Sequence, residues 1–150
     1  MKKLLFLLIV LAIRSSGFAQ ITHPVKWSYA AKQLNNNEAI VFLKATIQDD
    51  WHIYSLNGKS GGPVKTSFTF SPSKDYKLSG KPIEPNPKSK FERSFGFNVG
   101  YFEKEVVFQQ KIKLNSPNAG VIKGQLEYMA CNNIHCNQPE DIDFTIPLGK

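Results

Sequence analysis

The chain has 150 residues, of which 41% are hydrophobic and 21% are charged, with a formal net charge of +7 at pH 7. This length is enough for one hydrophobic core and too short for two domains of ordinary size. The lysines are scattered, and Arg14 and Arg93 are the only arginines. Because nucleic-acid sites use clustered basic residues and arginine forks, this composition argues against a nucleic-acid partner.

The N-terminal segment has the features of a secretory signal peptide. Lys2 and Lys3 precede an unbroken apolar run from Leu4 to Ile13, and small residues follow at Gly17 and Ala19. Ten apolar residues are too few to cross a hydrocarbon core of ~30 Å as a helix, so we expect no stable membrane anchor. We predict cleavage after Ala19, which leaves residues 20–150 as one domain in the periplasm with a net charge of +4.

The rest of the chain shows the alternation and the β-branched and aromatic enrichment of short strands, with no sustained helical period. Asn, Asp and Gly residues separate these runs and supply turns. Predicted strands, in chain order, cover Val25–Tyr29, Ala39–Ile47, Trp51–Leu56, Thr66–Phe70, Glu105–Leu114, Val121–Ala130 and Ile142–Leu148. Seven or more short strands predict an all-β fold of the sandwich type. Trp27 and Trp51 are expected to be core residues.

The segment from Ser79 to Val99 is predicted to be a long irregular loop. It holds three prolines, followed by Phe91, Phe95 and Phe97. Loops of this length in compact domains are often functional. Three phenylalanines in seven residues should find apolar cover, so we expect this segment to pack over another part of the domain. The alternative is that these side chains fill the sandwich core.

Cys131 and Cys136 are the only cysteines. An exported chain enters an oxidising compartment, so the two should form a disulfide. A loop of six residues removes little entropy from the unfolded chain, about 2 kcal/mol, so the bond would be a weak staple. The pair would close the tip of a hairpin between the strands at 121–130 and 142–148, as an accessible redox couple. His135 could lower the pKa of the neighbouring thiol when protonated, or could be an ordinary turn residue.

Other cysteine chemistry fits less well. Haem attachment needs Cys-x-x-Cys-His, and a thioredoxin-like site needs Cys-x-x-Cys beside a βαβ unit; neither pattern is present. Zinc needs three or four ligands, for which Cys131, Cys136, His135 and His52 are the candidates, but only the cysteines are placed together by spacing. We therefore expect neither a metal nor another cofactor.

The sequence resembles the N-terminal domain of the bacterial thiol:disulfide interchange protein DsbD from about Pro24 to Leu148. The matching segments are Val25-Lys-Trp27, Asp50-Trp-His-Ile-Tyr54, Phe95-Gly96 followed by Tyr101, Tyr128-Met-Ala-Cys131, Cys136-Asn-Gln-Pro-Glu140 and Phe144-Thr-Ile-Pro-Leu148. The resemblance implies an immunoglobulin-like β-sandwich with a redox-active cysteine pair at one end.

The same resemblance implies roles for individual residues. Cys136 would form the mixed disulfide with a partner, and Cys131 would be the resolving cysteine. His52 and Tyr54 would border the pair, together with His135. A cap loop would shield the pair when no partner is docked, and it falls on Phe91, Glu92, Phe95 and Gly96.

The resemblance also implies partners. Family members take electrons from a thioredoxin-like domain and reduce periplasmic clients, such as disulfide isomerases and cytochrome c maturation proteins. Because the sequence stops at Lys150, we expect the thioredoxin-like donor to be a separate polypeptide. The alternative is a secreted β-sandwich binding module in which the Cys131–Cys136 disulfide is purely structural. The reduction potential of the pair separates the two hypotheses.

Overall fold

The computed structural model describes residues 23–116 and 120–148. The predicted signal peptide lies outside the described residues. Eleven strands form the fold, and within the described ranges there is no helix. In chain order they are β1 (Val25–Asn35), β2 (Glu38–Ile47), β3 (His52–Tyr54), β4 (Ser67–Phe70), β5 (Tyr76–Leu78), β6 (Lys88–Glu92), β7 (Phe97–Phe102), β8 (Glu105–Leu114), β9 (Val121–Tyr128), β10 (Ala130–Cys131) and β11 (Glu140–Pro147).

The strands form two layers, as the all-β prediction requires. One layer is the antiparallel sheet β1–β2–β8–β5. The other layer contains the sheets β11–β9–β4 and β10–β3–β7–β6, and only Met129 separates β9 from β10. The chain therefore passes from one sheet of this layer directly into the other. The architecture is consistent with the predicted immunoglobulin-like sandwich.

Aromatic side chains from both layers meet in the core. The ring of Trp27 in β1 lies 5.9 Å from that of Phe68 in β4 and 5.5 Å from that of Tyr128 in β9. Phe102 in β7 contacts Phe108 in β8 edge to face at 5.7 Å. Such offset contacts between large rings fill the space between two sheets efficiently. Trp27 packs against this core and Trp51 belongs to it, as predicted.

Strand β8 is an example of how alternating apolar and polar residues form a half-buried strand. Its side chains alternate along the whole length, with Val106, Phe108, Gln110, Ile112 and Leu114 buried. The observed bounds are those predicted from the alternation. Successive side chains of a strand point to opposite faces, so one face of β8 closes the core while the other faces away from it.

The prediction of a long irregular loop from Ser79 to Val99 is wrong. Strand β6 lies within this segment and pairs with β7 in a hairpin, in which Lys90 is opposite Val99 and Glu92 is opposite Phe97. The three prolines lie just before the hairpin, where no ladder hydrogen bond is lost. Strand β5, which precedes this segment, was also not predicted. It is three residues long and pairs with the end of β8.

Candidate functional site

The two cysteines form a disulfide with an S–S distance of 2.00 Å. Cys131 lies in β10, directly opposite His52 of β3, and only 1% of it is exposed. Cys136 lies in the following loop and is exposed. The disulfide sits beyond the end of the β9–β11 hairpin, since the chain joins the neighbouring sheet at β10. The disulfide was predicted to be accessible, and in the structure solvent reaches Cys136 while Cys131 is buried.

The loop inside the disulfide is held by one asparagine. The Asn132 side-chain carbonyl accepts hydrogen bonds from the backbone N–H groups of Ile134 and His135, both at 2.8 Å. The Asn132 backbone N–H donates to the carbonyl of His135 at 2.9 Å. Asparagine commonly closes turns in this way, by hydrogen bonding to the backbone two or three residues on. The disulfide therefore lies at the base of an ordered turn.

Alternation along β3 places His52 and Tyr54 beside the disulfide. Ile53 points into the core, opposite Ala130 and Phe102 on the neighbouring strands. His52 and Tyr54 consequently point to the other face of the sheet, the outer face, together with Cys131. A second, smaller cluster forms there around Tyr54, Val99 and Cys131. The structure thus brings together the cysteine pair and both residues that were predicted to border it.

His52 is buried on this outer face and is neutral near pH 7. Burial, and then the positive charge of Lys90, lower the pKa of His52 to about 4. The Lys90 ammonium nitrogen lies 3.2 Å from Nε2 of His52, and the Tyr54 hydroxyl lies 3.3 Å from the same atom. An ammonium group can only donate, so Nε2 is the acceptor and the ring carries no charge. Burial, and then Glu92, raise the pKa of Tyr54 to about 12.

Lys90 is a component of the site that was not predicted from the sequence. Its ammonium group lies 2.6 Å from the carboxylate of Glu92 and 5.2 Å from the centre of the Tyr101 ring. The pairing of β6 with β7 places this side chain on the outer face. The alternation of Lys88, Lys90 and Glu92 could have indicated a strand with one charged face, but five residues between prolines and a turn give a weak signal.

The turn between β6 and β7 contributes side chains to the cluster that contains Cys131. The backbone N–H groups of Phe95 and Gly96 both donate to the carbonyl of Glu92, and Gly96 has a φ of +75°, which favours glycine. Phe95 and Phe97 pack against the cluster that contains Cys131, and neither belongs to the main core. Phe91 points to the opposite face of β6 and is 62% exposed. Of the two phenylalanines in the predicted cap, Phe95 is therefore the one that packs against this cluster.

His135 stands on the other side of the disulfide. Its ring meets the ring of Trp51 edge to face, with 5.3 Å between centres, while the residue as a whole is exposed. Trp51 belongs to the core and also forms part of the surface on which the disulfide loop rests. This contact holds the His135 ring, the neighbour of Cys136 in the chain, against Trp51.

A groove of about 540 Å³ runs along this side of the site. Acidic and basic side chains both line it, so the groove is polar. Its walls include Asp49, Asp50, Trp51, His52, Lys90, Tyr101, Glu103, Lys104 and Asn133. Within residues 23–116 and 120–148, no group of three or more His, Cys, Asp or Glu side chains is placed to hold a metal ion. None of the described elements is a helix long and apolar enough to cross a membrane.

The fold and the site define a class of two-layer β-sandwich domains that carry a short-loop disulfide on the outer face of one sheet. The chain belongs to one family within that class. The sequence profile of the N-terminal domain of the thiol:disulfide interchange protein DsbD matches residues 22–147, which is nearly the whole range over which the resemblance was stated.

Solved structures show the same fold. The N-terminal periplasmic domain of ScsB from Proteus mirabilis has a TM-score of 0.64 at 20% identity, covering 85% of this chain; the chain spans only 47% of that structure. The reduced DsbD N-terminal domain of Neisseria meningitidis has a TM-score of 0.52 at 19% identity, with 79% and 83% of the two chains covered.

A third structure is the complex between the DsbD N-terminal and PilB N-terminal domains from Neisseria meningitidis. It matches with a TM-score of 0.57 at 17% identity, covering 84% of this chain and 87% of that one. No curated protein matches the chain significantly in sequence. At these identities the solved structures establish the fold, and the family membership rests on the sequence profile.

Proposed function

We propose that this chain is a periplasmic thiol–disulfide exchange protein that carries reducing equivalents from a thioredoxin-like donor to disulfide-bearing client proteins. The observation that supports it most is the unequal exposure of the two cysteines. Cys136 is open to solvent, whereas Cys131 is buried beside His52 and belongs to the cluster with Tyr54. A partner can reach one end of the disulfide and is kept from the other.

The exchange would proceed in two balanced halves. A donor thiolate attacks Sγ of Cys136, the Cys131–Cys136 bond breaks, and Cys131 leaves as a thiolate that takes up a proton. The second thiol of the donor then attacks the donor sulfur of the mixed disulfide, which leaves the donor oxidised and Cys136 reduced. Two electrons have moved, and no cofactor is needed.

In the second half the reduced chain acts on a client. The Cys136 thiolate attacks the client disulfide and forms a mixed disulfide. Cys131 then attacks Sγ of Cys136, restores the intramolecular bond and releases the reduced client. In the fold, β10 holds Cys131 directly below the exposed residue, so this resolving step needs only a local movement of the loop.

The neighbours of the pair suit this scheme. Phe95 would act as the cap that limits access by other thiols and oxidants until a partner displaces it. The relatives named above include a periplasmic domain and a complex with a second protein, and both agree with an exported protein that works by docking.

Single cysteine variants test the assignment of roles. Cys131→Ser is first treated with dithiobis(nitrobenzoic acid), which converts Cys136 to a mixed disulfide with thionitrobenzoate. A thioredoxin that keeps only its attacking cysteine should then displace thionitrobenzoate from Cys136 and accumulate as a protein mixed disulfide, because no second thiol remains to resolve the bond. Cys136→Ser should trap very little, since the remaining thiol is buried. Non-reducing electrophoresis measures both. Equal trapping by the two variants would contradict the roles.

The reduction potential of the wild-type pair tests the function itself. Equilibration with glutathione or dithiothreitol buffers should give a value well above about −300 mV, the region of exchangeable disulfides. A value below that limit, with no transfer from reduced thioredoxin, would make the disulfide structural and favour the binding-module hypothesis.

A further inference from the structure

Ile134 is the most exposed large apolar side chain in the part of the chain that the structure describes. It is 90% exposed, whereas the other exposed residues of this kind range from 43% for Val121 to 62% for Phe91. Single exposed apolar residues are common on protein surfaces. Ile134 differs in its position, because it lies within the disulfide loop and only two residues before Cys136.

The loop holds Ile134 outward. Its backbone N–H is bound by the side chain of Asn132, the disulfide closes the loop, and the next residue, His135, packs on Trp51. The isoleucine side chain contributes almost nothing to the packing of the free chain. An apolar group that is held in place before binding loses little conformational entropy when a partner covers it.

The loop also contains no acidic residue, lysine or arginine. No Asp, Glu, Lys or Arg occurs from Cys131 to Pro139, in a chain in which 21% of residues are charged. The centres of protein–protein interfaces are depleted of charged residues, and a few buried apolar anchors provide most of the binding energy. The loop therefore shares the lack of charged residues with interface centres, and Ile134 is its apolar side chain.

The chemistry of exchange requires contact at this point. A mixed disulfide brings the partner sulfur to about 2.05 Å from Sγ of Cys136. Two residues of chain span at most about 7 Å, so Ile134 lies inside the contact area of any protein that forms this bond. The surface that must be covered during exchange is the surface that carries the exposed isoleucine.

We propose that Ile134 is the apolar anchor of the docking surface, and that it inserts into an uncharged, apolar cleft beside the reactive cysteine of the thioredoxin-like partner. This inference rests on the proposed function and adds the residue that selects protein thiols over small ones. Covering the side chain favours the encounter with a protein partner. A small thiol has no cleft to receive Ile134, so the rate at which it reduces the protein depends on the disulfide alone.

The test compares two reductants on the same variants. Reduction of the disulfide by reduced thioredoxin should be slower by about tenfold to a hundredfold in Ile134→Ser, the factor expected for one buried isoleucine. Reduction by dithiothreitol should be unchanged, and so should the unfolding midpoint. Ile134→Leu should keep most of the thioredoxin rate. Leu34→Ser removes a half-exposed aliphatic residue of β1 and is the matched control, with no effect on either rate.

Three results would overturn the inference. Equal thioredoxin rates for wild type and Ile134→Ser would show that the residue is not an anchor. An equal loss with both reductants would show that it acts on the disulfide and not on docking. A wild-type protein that dithiothreitol reduces and thioredoxin does not would refute the proposed function together with this inference, whereas the first two results leave that function standing.

Discussion

The sheet β10–β3–β7–β6 buries side chains on both of its faces, but for different reasons. On the inner face, Ile53, Phe102 and Ala130 belong to the main core of the sandwich. On the outer face, His52 and Tyr54 are buried as deeply, although the second layer of strands lies on the other side. Side chains of β6 and β7 cover them there, among them Lys90 and Tyr101 against His52. One strand of three residues thus contributes to the main core with one side and to the surroundings of Cys131 with the other.

From this comparison we expect substitutions on the inner face and on the outer face to change different properties of the protein. Inner-face changes should lower the free energy of unfolding and leave exchange by the folded protein unaltered. Outer-face changes should alter reactivity at little cost in stability. Single substitutions that change both the free energy of unfolding and the reactivity of the disulfide would contradict this expectation.

The largest effect on stability is expected for Ile53→Ala. The side chain is fully buried in the core, and replacing a buried isoleucine by alanine costs about 2–5 kcal/mol through lost burial and the cavity that remains. Denaturant unfolding measures this loss. The rate of disulfide reduction by dithiothreitol, measured well below the unfolding midpoint, should stay within about twofold of wild type. A much larger change in that rate would mean that the two faces are coupled.

The second-largest expected effect is a pH dependence of the free energy of unfolding, which arises from His52 on the outer face. The folded-state pKa of His52 is about 4, below the ordinary value of 6.5, so the unfolded chain binds a proton more readily than the folded one. Stability should therefore be fully present above pH 6.5 and fall as the pH drops toward 4, by on the order of 2 kcal/mol. Denaturant midpoints at pH 7, 5.5 and 4.5 measure the slope.

His52→Gln provides the control for this slope. Glutamine does not titrate and keeps a side-chain acceptor for the Lys90 ammonium group. The variant should lose the part of the slope between pH 6.5 and 4 that belongs to His52. An identical slope in wild type and variant would show that other groups produce the pH dependence.

The strands that form the sandwich core could be predicted from the sequence more readily than the outer face of β3. The alternation in Glu105–Leu114 and the apolar run in β2 depend on residues that are close in sequence, and both strands were placed nearly as observed. The family resemblance supplied the cysteine pair, His52 and Tyr54, which the structure does bring together. Their functional roles remain predictions.

What could not be predicted depends on register between distant segments. Lys90 reaches His52 only because β6 pairs with β7 in the observed alignment, and five residues rich in charge give no reliable strand signal. The burial of Cys131 follows from two residues that join a neighbouring sheet. Such short pairings gain their stability from the completed fold, so a local pattern does not reveal them.

The smallest change in stability, and the sharpest test of the outer face, is expected for Phe95→Ala. The ring is half-buried and lies outside the main core, so its loss should cost only about 1 kcal/mol, against about 3–5 kcal/mol for a core phenylalanine. If the turn caps the site, the reduced pair should react faster with iodoacetamide, because apolar cover no longer hinders the reagent. Phe91→Ala is the matched control: the same hairpin and residue type, but on the exposed face, with no change in alkylation. A stability loss near 3–5 kcal/mol with unaltered alkylation would make Phe95 a packing residue, and the burial of Cys131 would then have to be attributed to β3 and β10 alone.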